Sequence, residues 1–276
     1  MPELPEVETV RRSLLPHVLG ARIDAVRVAD GRLRWPVDVP GLTRAVAGRR
    51  ITGVRRRAKY LLFDLEAETV LMVHLGMTGR LGIVPADRLG LPHDHVIFEL
   101  EGARQMRFND ARRFGLVEVY PAAVEAEHPR LKHLGVEPLD ATAFTGASLQ
   151  AGTRGVKKPI KNFLMDAAQV VGVGNIYASE SLFAARIRPT LPAGRLSRPR
   201  CDRLVDAVRA TLEHAIAQGG TTLRDFQNAE GEAGYFAIAL QVYGRGGGPC
   251  FVCGTPIRRA VQAGRATFFC PQCQAR

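Results

Sequence analysis

The sequence predicts an α+β chain built in three parts: a β-rich N-terminal region entered by a helix, a helical middle, and a small C-terminal hairpin closed by cysteines. Three observations carry that expectation. Leu4, Val7, Val10, Leu14 and Leu15 recur at three- and four-residue steps, the period of a helix with one buried face. From about residue 20 to 120 the apolar residues come instead in short runs broken by Gly, Pro and Asp, and after 121 the helical period returns. Four of the five cysteines stand in two pairs at the end of the chain.

Taken in order, residues 3–18 form the first helix. The runs RIDAVRV, KYLLFDL, TVLMVHL, HVIFEL and GLVEVY read as strands of an antiparallel sandwich or barrel of roughly seven or eight strands. Helical periodicity is clearest at 176–186 and 201–217. The stretch 187–200 holds four Pro or Gly residues among arginines and reads as a connector. The domains expected are 2–120, 121–243 and 244–276, with neither an internal repeat nor a low-complexity tract.

Cys250 and Cys253 form CFVC, Cys270 and Cys273 form CPQC, and sixteen residues lie between the pairs. A two-residue gap lets a tight turn aim two thiolates at one point, and a hairpin of this length brings two such turns together. That is the spacing of one structural tetrahedral zinc ion, Zn2+. Cys201 is left over as a buried, inert thiol. The arm between the pairs presents Arg258, Arg259 and Arg265 on a short rigid tip, suited to reading phosphates or a groove.

The 276 residues carry a formal net charge of +11 and are 46% hydrophobic. The excess charge is concentrated: residues 151–200 hold nine Lys/Arg against two acids, whereas 101–150 hold six against seven. Such an uneven distribution points to a binding face for a polyanion, since Lys and Arg contacts to phosphate release condensed counterions. The N-terminus lacks a basic segment followed by an apolar run, and no stretch of about 18 uninterrupted apolar residues occurs. A cytoplasmic protein with no membrane partner is expected, and cysteines that bind metal instead of forming disulfides fit that compartment.

Several segments are too irregular to be scaffold alone. VVGVGNIYASESLF joins a glycine-rich turn to a helix; glycines permit close backbone approach and a helix N-terminus favours an anion, so Asn175 is placed to contact a phosphate. HLGMTGR and NDARRFG set Met77, Arg112 and Phe114 among small residues, although a lone Met or Phe by itself reads as core packing.

The start PELPEVETV, then RRAKYLL, HLGMTGR, HDHV, RRFG, VVGVGNIYASESLF, QGGTTLRDF and the closing CFVC/CPQC pairs together resemble the bacterial formamidopyrimidine-DNA glycosylase family. The resemblance spans the chain from Pro2 to the last cysteine pair. It implies a β-sandwich joined to a helix–two-turn–helix domain and a zinc ribbon. It also implies a monomeric enzyme that excises oxidised purines, among them 8-oxoguanine and formamidopyrimidines, from double-stranded DNA and then cuts the strand at the abasic site by β,δ-elimination.

The chain start acquires a meaning on that reading. Removal of Met1 makes Pro2 a terminal secondary amine, and α-amino groups titrate near 8, so a fraction is nucleophilic at neutral pH. Attack on the sugar C1′ displaces the base and leaves an iminium ion, a Schiff base, which acidifies the C2′ hydrogen. By resemblance Pro2 is the nucleophile and Glu3 the acid–base group. Lys59 is a proton donor in β-elimination, and Arg265 serves phosphate binding and δ-elimination. His93, Arg112, Lys161 and Asn175 match DNA-contacting positions. Met77, Arg112 and Phe114 match a trio that fills the hole left by a flipped nucleotide, which implies a preference for lesions opposite cytosine. Either Lys157 or Lys158 is the contacting lysine of the KKPIKNF region, with Lys157 carried as the candidate. Residues 221–236 resemble a loop that covers the flipped base.

Two other readings account for part of this. Endonuclease VIII shares the Pro-Glu start and the ribbon, but Leu4 and the Met77/Arg112/Phe114 set favour the purine enzyme. A zinc-ribbon module that only binds DNA accounts for charge and cysteines but leaves Pro2, Glu3 and Lys59 without a role.

Overall fold

The computed structural model describes residues 2–220 and 240–275 and divides into two compact units. The first comprises residues 2–132 with 219–220, the second 133–218 with 240–275.

The first unit opens with helix α1 (Leu4–Val18). Its start is specified locally. The Glu3 backbone N–H donates to Glu6 Oε2 at 2.8 Å as part of a reciprocal capping box, which satisfies donors that no helical carbonyl can reach. Pro5 sits where a missing N–H costs nothing. Val7, Val10, Leu14 and Val18 are buried in the core of the unit, with Leu15 partly buried beside them.

Eight strands follow: β1 (Ile23–Val28), β2 (Ile51–Arg57), β3 (Tyr60–Leu65), β4 (Thr69–His74), β5 (Arg80–Pro85), β6 (Asp94–Leu100), β7 (Arg104–Asn109) and β8 (Leu116–Pro121). They form two four-stranded antiparallel sheets, in the orders β1-β6-β7-β5 and β2-β3-β4-β8. Phe63, Leu71 and Val73 of one sheet and Phe98, Met106 and Phe108 of the other share one apolar cluster with the buried face of α1. The region is therefore a sandwich, not a closed barrel. A short helix α2 (Val39–Val46) interrupts the β region, capped by Asp38, whose carboxylate accepts from Gly41 N at 3.0 Å. It was not foreseen because its Pro40 and Gly41 read as strand breakers, yet Asp followed by an early Pro is also a helix-start signal.

Strand register places the irregular segments together. Asn109 is paired with both Asp94 and Arg80, and His74 with both Tyr60 and Leu116. The turns at 58–59, 75–79, 91–94 and 110–115 thus lie at one end of the sandwich, with 75–79 and 110–115 passing from one sheet to the other.

The second unit contains α3 (Gly146–Thr153), α4 (Ile160–Leu164), α5 (Asn175–Ala184) and α6 (Arg198–Ala217), followed by the hairpin β9 (Arg258–Gln262) and β10 (Arg265–Phe269). The helices expected at 176–186 and 201–217 are α5 and the larger part of α6. Val242, Ile257 and Phe268 pack with Phe183 of α5 and the cysteine cluster, so the hairpin shares a small core with the helices. Cys201 is buried on α6, where burial and the Asp202 charge push its thiol up, which makes thiolate scarce. No helix among the described residues is long and apolar enough to cross a membrane.

An ion cluster locks α1 onto the strands. Glu8 accepts from Arg11 at 2.8 Å, Arg12 at 2.9 Å and Arg56 of β2 at 3.2 Å, and Arg11 also donates to Val54 O at 3.1 Å. Burial would raise the Glu8 pKa, but hydrogen bonds from Arg11 and Arg12 and the charges of Arg11 and Arg56 outweigh it and hold the carboxyl below its ordinary value. A group depressed in this way contributes stability above its unfolded pKa and loses it as pH falls through the folded one. Removing the charge leaves a buried arginine without its partner, a change costing about 3 kcal/mol. Glu8→Gln is therefore expected to lower the thermal midpoint at neutral pH by several degrees, and to differ from the parent progressively less below pH 4; calorimetry at both pH values checks this.

Candidate functional site

Pro2 and Glu3 are buried at the start of α1. The capping box fixes Glu3, and the Glu8 cluster fixes the helix against β2. Arg56 also donates to Ala58 O at 3.0 Å. Ala58 has φ +54 and forms the β2–β3 turn with Lys59. The same arginine thus touches both α1 and the turn that carries Lys59, tying two of the sequence-predicted catalytic residues to one rigid frame.

The segments around Met77 and Phe114 pack backbone to backbone. Gly76 has φ +65, and a Cβ there would lie 2.4 Å from the carbonyl carbon of Phe114; only glycine permits that approach. Asp110 is fully buried and binds both segments. It accepts from Thr78 Oγ1 at 2.6 Å, from Gly115 N at 2.8 Å and from Arg112 N at 3.3 Å. Held by this frame, Met77 and Phe114 are 37% and 41% exposed, large apolar side chains facing water at a turn. The Arg112 guanidinium stands 4.7 Å over the Phe114 ring. Two exposed apolar tips and a guanidinium form a wedge that can replace a stacked base and hydrogen-bond its partner. His93 is exposed in the neighbouring turn.

Sequence reasoning missed His74. It ends β4, its Nδ1 accepts from Gly76 N at 3.0 Å, and its ring lies 4.9 Å from that of Tyr60. With Arg34, Met77 and Phe114 it lines a largely apolar recess of about 440 Å³. Burial, then the charges of Lys59, Arg34 and Arg130, hold its pKa down to about 4. It is neutral at pH 7, and with Nδ1 accepting, its proton sits on Nε2 as a hydrogen-bond donor. The available signal was a histidine directly before the Leu-Gly-Met turn.

In the second unit, two of the singled-out residues meet, and a third, Arg265, is the chain neighbour of a residue they touch. Lys161 is 1% exposed. Its Nζ donates to Asn175 Oδ1 at 2.6 Å, Thr267 Oγ1 at 2.8 Å and Ala266 O at 3.0 Å. An ammonium has three protons, and these three acceptors use them. Lys161 therefore holds Asn175, at the start of α5, and the strand residue next to Arg265, as an internal support behind them. Asn175 Nδ2 in turn donates to Tyr243 Oη at 3.3 Å. The Glu180 carboxylate accepts the backbone N–H groups of Gln241, Val242 and Tyr243 at 2.8, 3.0 and 2.8 Å. Tyr243 and Glu180 gave no signal of their own in the sequence. Arg265 is exposed at the hairpin tip. Lys158 is paired with Asp166 at 2.8 Å, whereas Lys157 is exposed and enters no ion pair among the described residues. The expected base-covering segment 221–236 lies outside the described residues.

The sulfur atoms of Cys250, Cys253, Cys270 and Cys273 all lie within 4.8 Å of one another, with Cys250–Cys273 at 3.9 Å and Cys253–Cys270 at 3.5 Å. Tetrahedral zinc with Zn–S near 2.3 Å requires roughly 3.8 Å between sulfurs, so the four thiolates fit one zinc ion.

Comparison with known proteins covers the whole chain. Residues 1–117 match the family described as "Formamidopyrimidine-DNA glycosylase N-terminal domain", residues 134–227 "Formamidopyrimidine-DNA glycosylase H2TH domain", and residues 247–276 "Zinc finger found in FPG and IleRS". A formamidopyrimidine-DNA glycosylase of Burkholderia lata is 53% identical over 99% of this chain and 100% of that protein. The crystal structure of MutM (Fpg) from Thermus thermophilus is 43% identical with a TM-score of 0.87, covering 99% of this chain and 98% of that one. Lactococcus lactis Fpg bound to DNA containing an abasic site is 32% identical with a TM-score of 0.90, over 99% and 100% of the two chains. That Fpg has also been crystallised with DNA containing Fapy-dG and with DNA containing an oxidised pyrimidine.

The depressed pKa of His74 gives a test with a defined sign. Between pH 6.5 and about 4 the unfolded chain protonates this residue and the folded chain does not, so stability falls as pH falls through that window. His74→Gln is expected to flatten the decline of the thermal midpoint between pH 6.5 and 4.5 relative to the parent; parallel curves would mean that His74 titrates normally.

Proposed function

The chain belongs to the formamidopyrimidine-DNA glycosylase family, bifunctional DNA glycosylase/abasic-site lyases, and from that footing we propose how its own residues perform the reaction. It is a DNA repair glycosylase acting on duplex DNA that carries formamidopyrimidine, an abasic site or another oxidised base. Among these substrates we propose 8-oxoguanine opposite cytosine and the formamidopyrimidines. The observation that carries the mechanism is a Pro-Glu pair buried at the capped start of α1.

The target atom is inside the base stack, so the nucleotide must rotate out at a cost of a few kcal/mol. Met77 and Phe114 fill the gap by stacking, and Arg112 hydrogen-bonds the base left unpaired, cytosine being the matched acceptor. The exposed Lys157, Arg265 and His93, together with Asn175, bind the flanking phosphates. His74 offers its Nε2–H as a further neutral donor. Lys161 acts behind Asn175 and the hairpin strand and does not itself reach the DNA. Zinc closes the hairpin that presents Arg265 and takes no part in the chemistry.

With Met1 removed, the Pro2 nitrogen is a secondary amine at the positive end of α1, an environment that disfavours its protonated form. Its lone pair bonds to C1′, and the C1′–N bond to the base breaks. Glu3 moves the protons of ring opening and base departure. The iminium acidifies C2′; loss of that proton expels the 3′-phosphate, with Lys59 serving proton transfer. A second elimination, aided by Arg265, expels the 5′-phosphate. The working unit is a monomer acting on cytoplasmic nucleoid DNA. Its modules, read from the sequence as a catalytic sandwich (2–120), a helical DNA-binding domain (121–243) and a ribbon (244–276), differ from the compact units in that 121–132 and 219–220 group with the sandwich.

Because an abasic site has already lost its base, the two halves of the mechanism separate experimentally. Glu3→Gln is expected to reduce excision of 8-oxoguanine opposite cytosine by about 100-fold or more, while cutting of a preformed abasic site falls far less. Gel assays on the two duplexes check this, and equal losses would contradict the role given to Glu3.

A further inference from the structure

Residues 91–94 form a type II turn with an unusual occupant. Asp94 N donates to Leu91 O at 3.2 Å, Pro92 holds the second position, and His93 holds the third with φ +73. That third position requires a left-handed backbone and normally carries glycine. A side chain there is strained, and such strain persists only where surrounding bonds over-determine it. His93 is also exposed, so its side chain gains nothing from core packing.

The bonds that hold the turn come from its two ends and from the adjacent strand. Asp94 Oδ2 accepts from Leu91 N at 2.9 Å. Asn109, paired with Asp94 across β6 and β7, donates from Nδ2 to Pro92 O at 2.8 Å and to Asp94 Oδ1 at 2.8 Å. Asp110 N donates to His93 O at 3.1 Å. Arg107 backs the pair: its guanidinium reaches Asp94 Oδ2 at 3.3 Å and the carbonyls of Leu89 and Arg88 at 3.0 and 2.5 Å. The bonds at Leu91 N, Pro92 O and His93 O hold the backbone of the turn directly; the others hold the Asp94 side chain and the segment leading into the turn.

We propose that Asn109 is a positioning residue for DNA binding: by bridging Pro92 O and Asp94 it holds the left-handed turn that presents His93. This rests on the reading of His93 as a DNA contact. Asn109 itself does not touch the substrate; its contribution is the ordering of His93 before DNA arrives, which removes an entropic cost from binding. Because Asp110 also carries the Thr78, Arg112 and Gly115 bonds, the same strand end orders the His93 turn and the wedge.

The test is a double-mutant cycle on the full-length zinc-loaded protein. Its readout is the Kd for a duplex carrying a tetrahydrofuran abasic-site analogue, with melting curves to confirm folding. His93→Ala is expected to weaken binding about tenfold. Asn109→Ala and Asn109→Leu, the second matching the side-chain size without donors, are each expected to weaken it about threefold or more and, on a cleavable duplex carrying 8-oxoguanine opposite cytosine, to raise KM more than they lower kcat. In the His93→Ala background, Asn109→Ala is expected to have no further effect, since the residue acts through His93. Additive losses would overturn the proposal, as would full affinity of both Asn109 variants while His93→Ala binds weakly. Unchanged binding by His93→Ala alone would instead remove the DNA-contact reading beneath it.

Discussion

The immobilisation of helix α1 is the constraint on which the rest of the catalytic architecture depends. Chain termini fray unless they are tied down, and Pro2, the nucleophile we propose, is useful only if it is stationary. Three independent devices supply that. Val7, Val10 and Leu14 enter the sandwich core, Glu3 and Glu6 cap the helix reciprocally, and the Glu8–Arg56 contact joins it to β2. Arg56 continues to Ala58 O, so the bond that fixes the helix also fixes the turn carrying Lys59. Acid groups are costly to bury, and Glu3, Glu6 and Glu8 are all buried here; each of them serves the chain start.

The two units solve the presentation of functional groups in the same way, with a buried polar residue behind exposed ones. Asp110 spends its carboxylate on the backbone and side chains of the wedge segments, leaving Met77, Arg112 and Phe114 outward. Lys161 uses its three protons on Asn175, Ala266 and Thr267, leaving Arg265 outward. Glu180 gathers three consecutive backbone amides ahead of the ribbon. In each case the buried polar group is hydrogen-bonded, the condition under which burial is tolerable, and the rigidity goes to the residues proposed to meet the substrate.

Much of this was legible in the sequence because the signals are periodic or short-range. The helical spacing of Leu4 to Leu14, the alternation of strands and turn residues, and the two CxxC pairs each follow from local geometry. The distinction between a lysine at the surface and one that supports its neighbours from inside is not local. Lys161 reads like its neighbours Lys157 and Lys158 in a basic run, and only the fold places it against Thr267, over a hundred residues away. His74 reads as the end of an apolar strand; its neutral state is set first by burial and then by the charges of Lys59, Arg34 and Arg130, none of them its sequence neighbour. Helix α2 was missed because its Pro and Gly are breakers in a strand but acceptable in a first helical turn.

The most direct test of the account is borohydride trapping. The mature protein is mixed with a duplex bearing one 8-oxoguanine opposite cytosine, reductant is added, and any covalent adduct is mapped by peptide mass. The account requires an adduct on the peptide that begins at Pro2, with Met1 absent, because borohydride reduces an iminium to a stable amine and so marks the nitrogen that formed it. No adduct from protein that binds the duplex and lacks Met1, or an adduct mapped to a lysine elsewhere, would contradict Pro2 as the nucleophile.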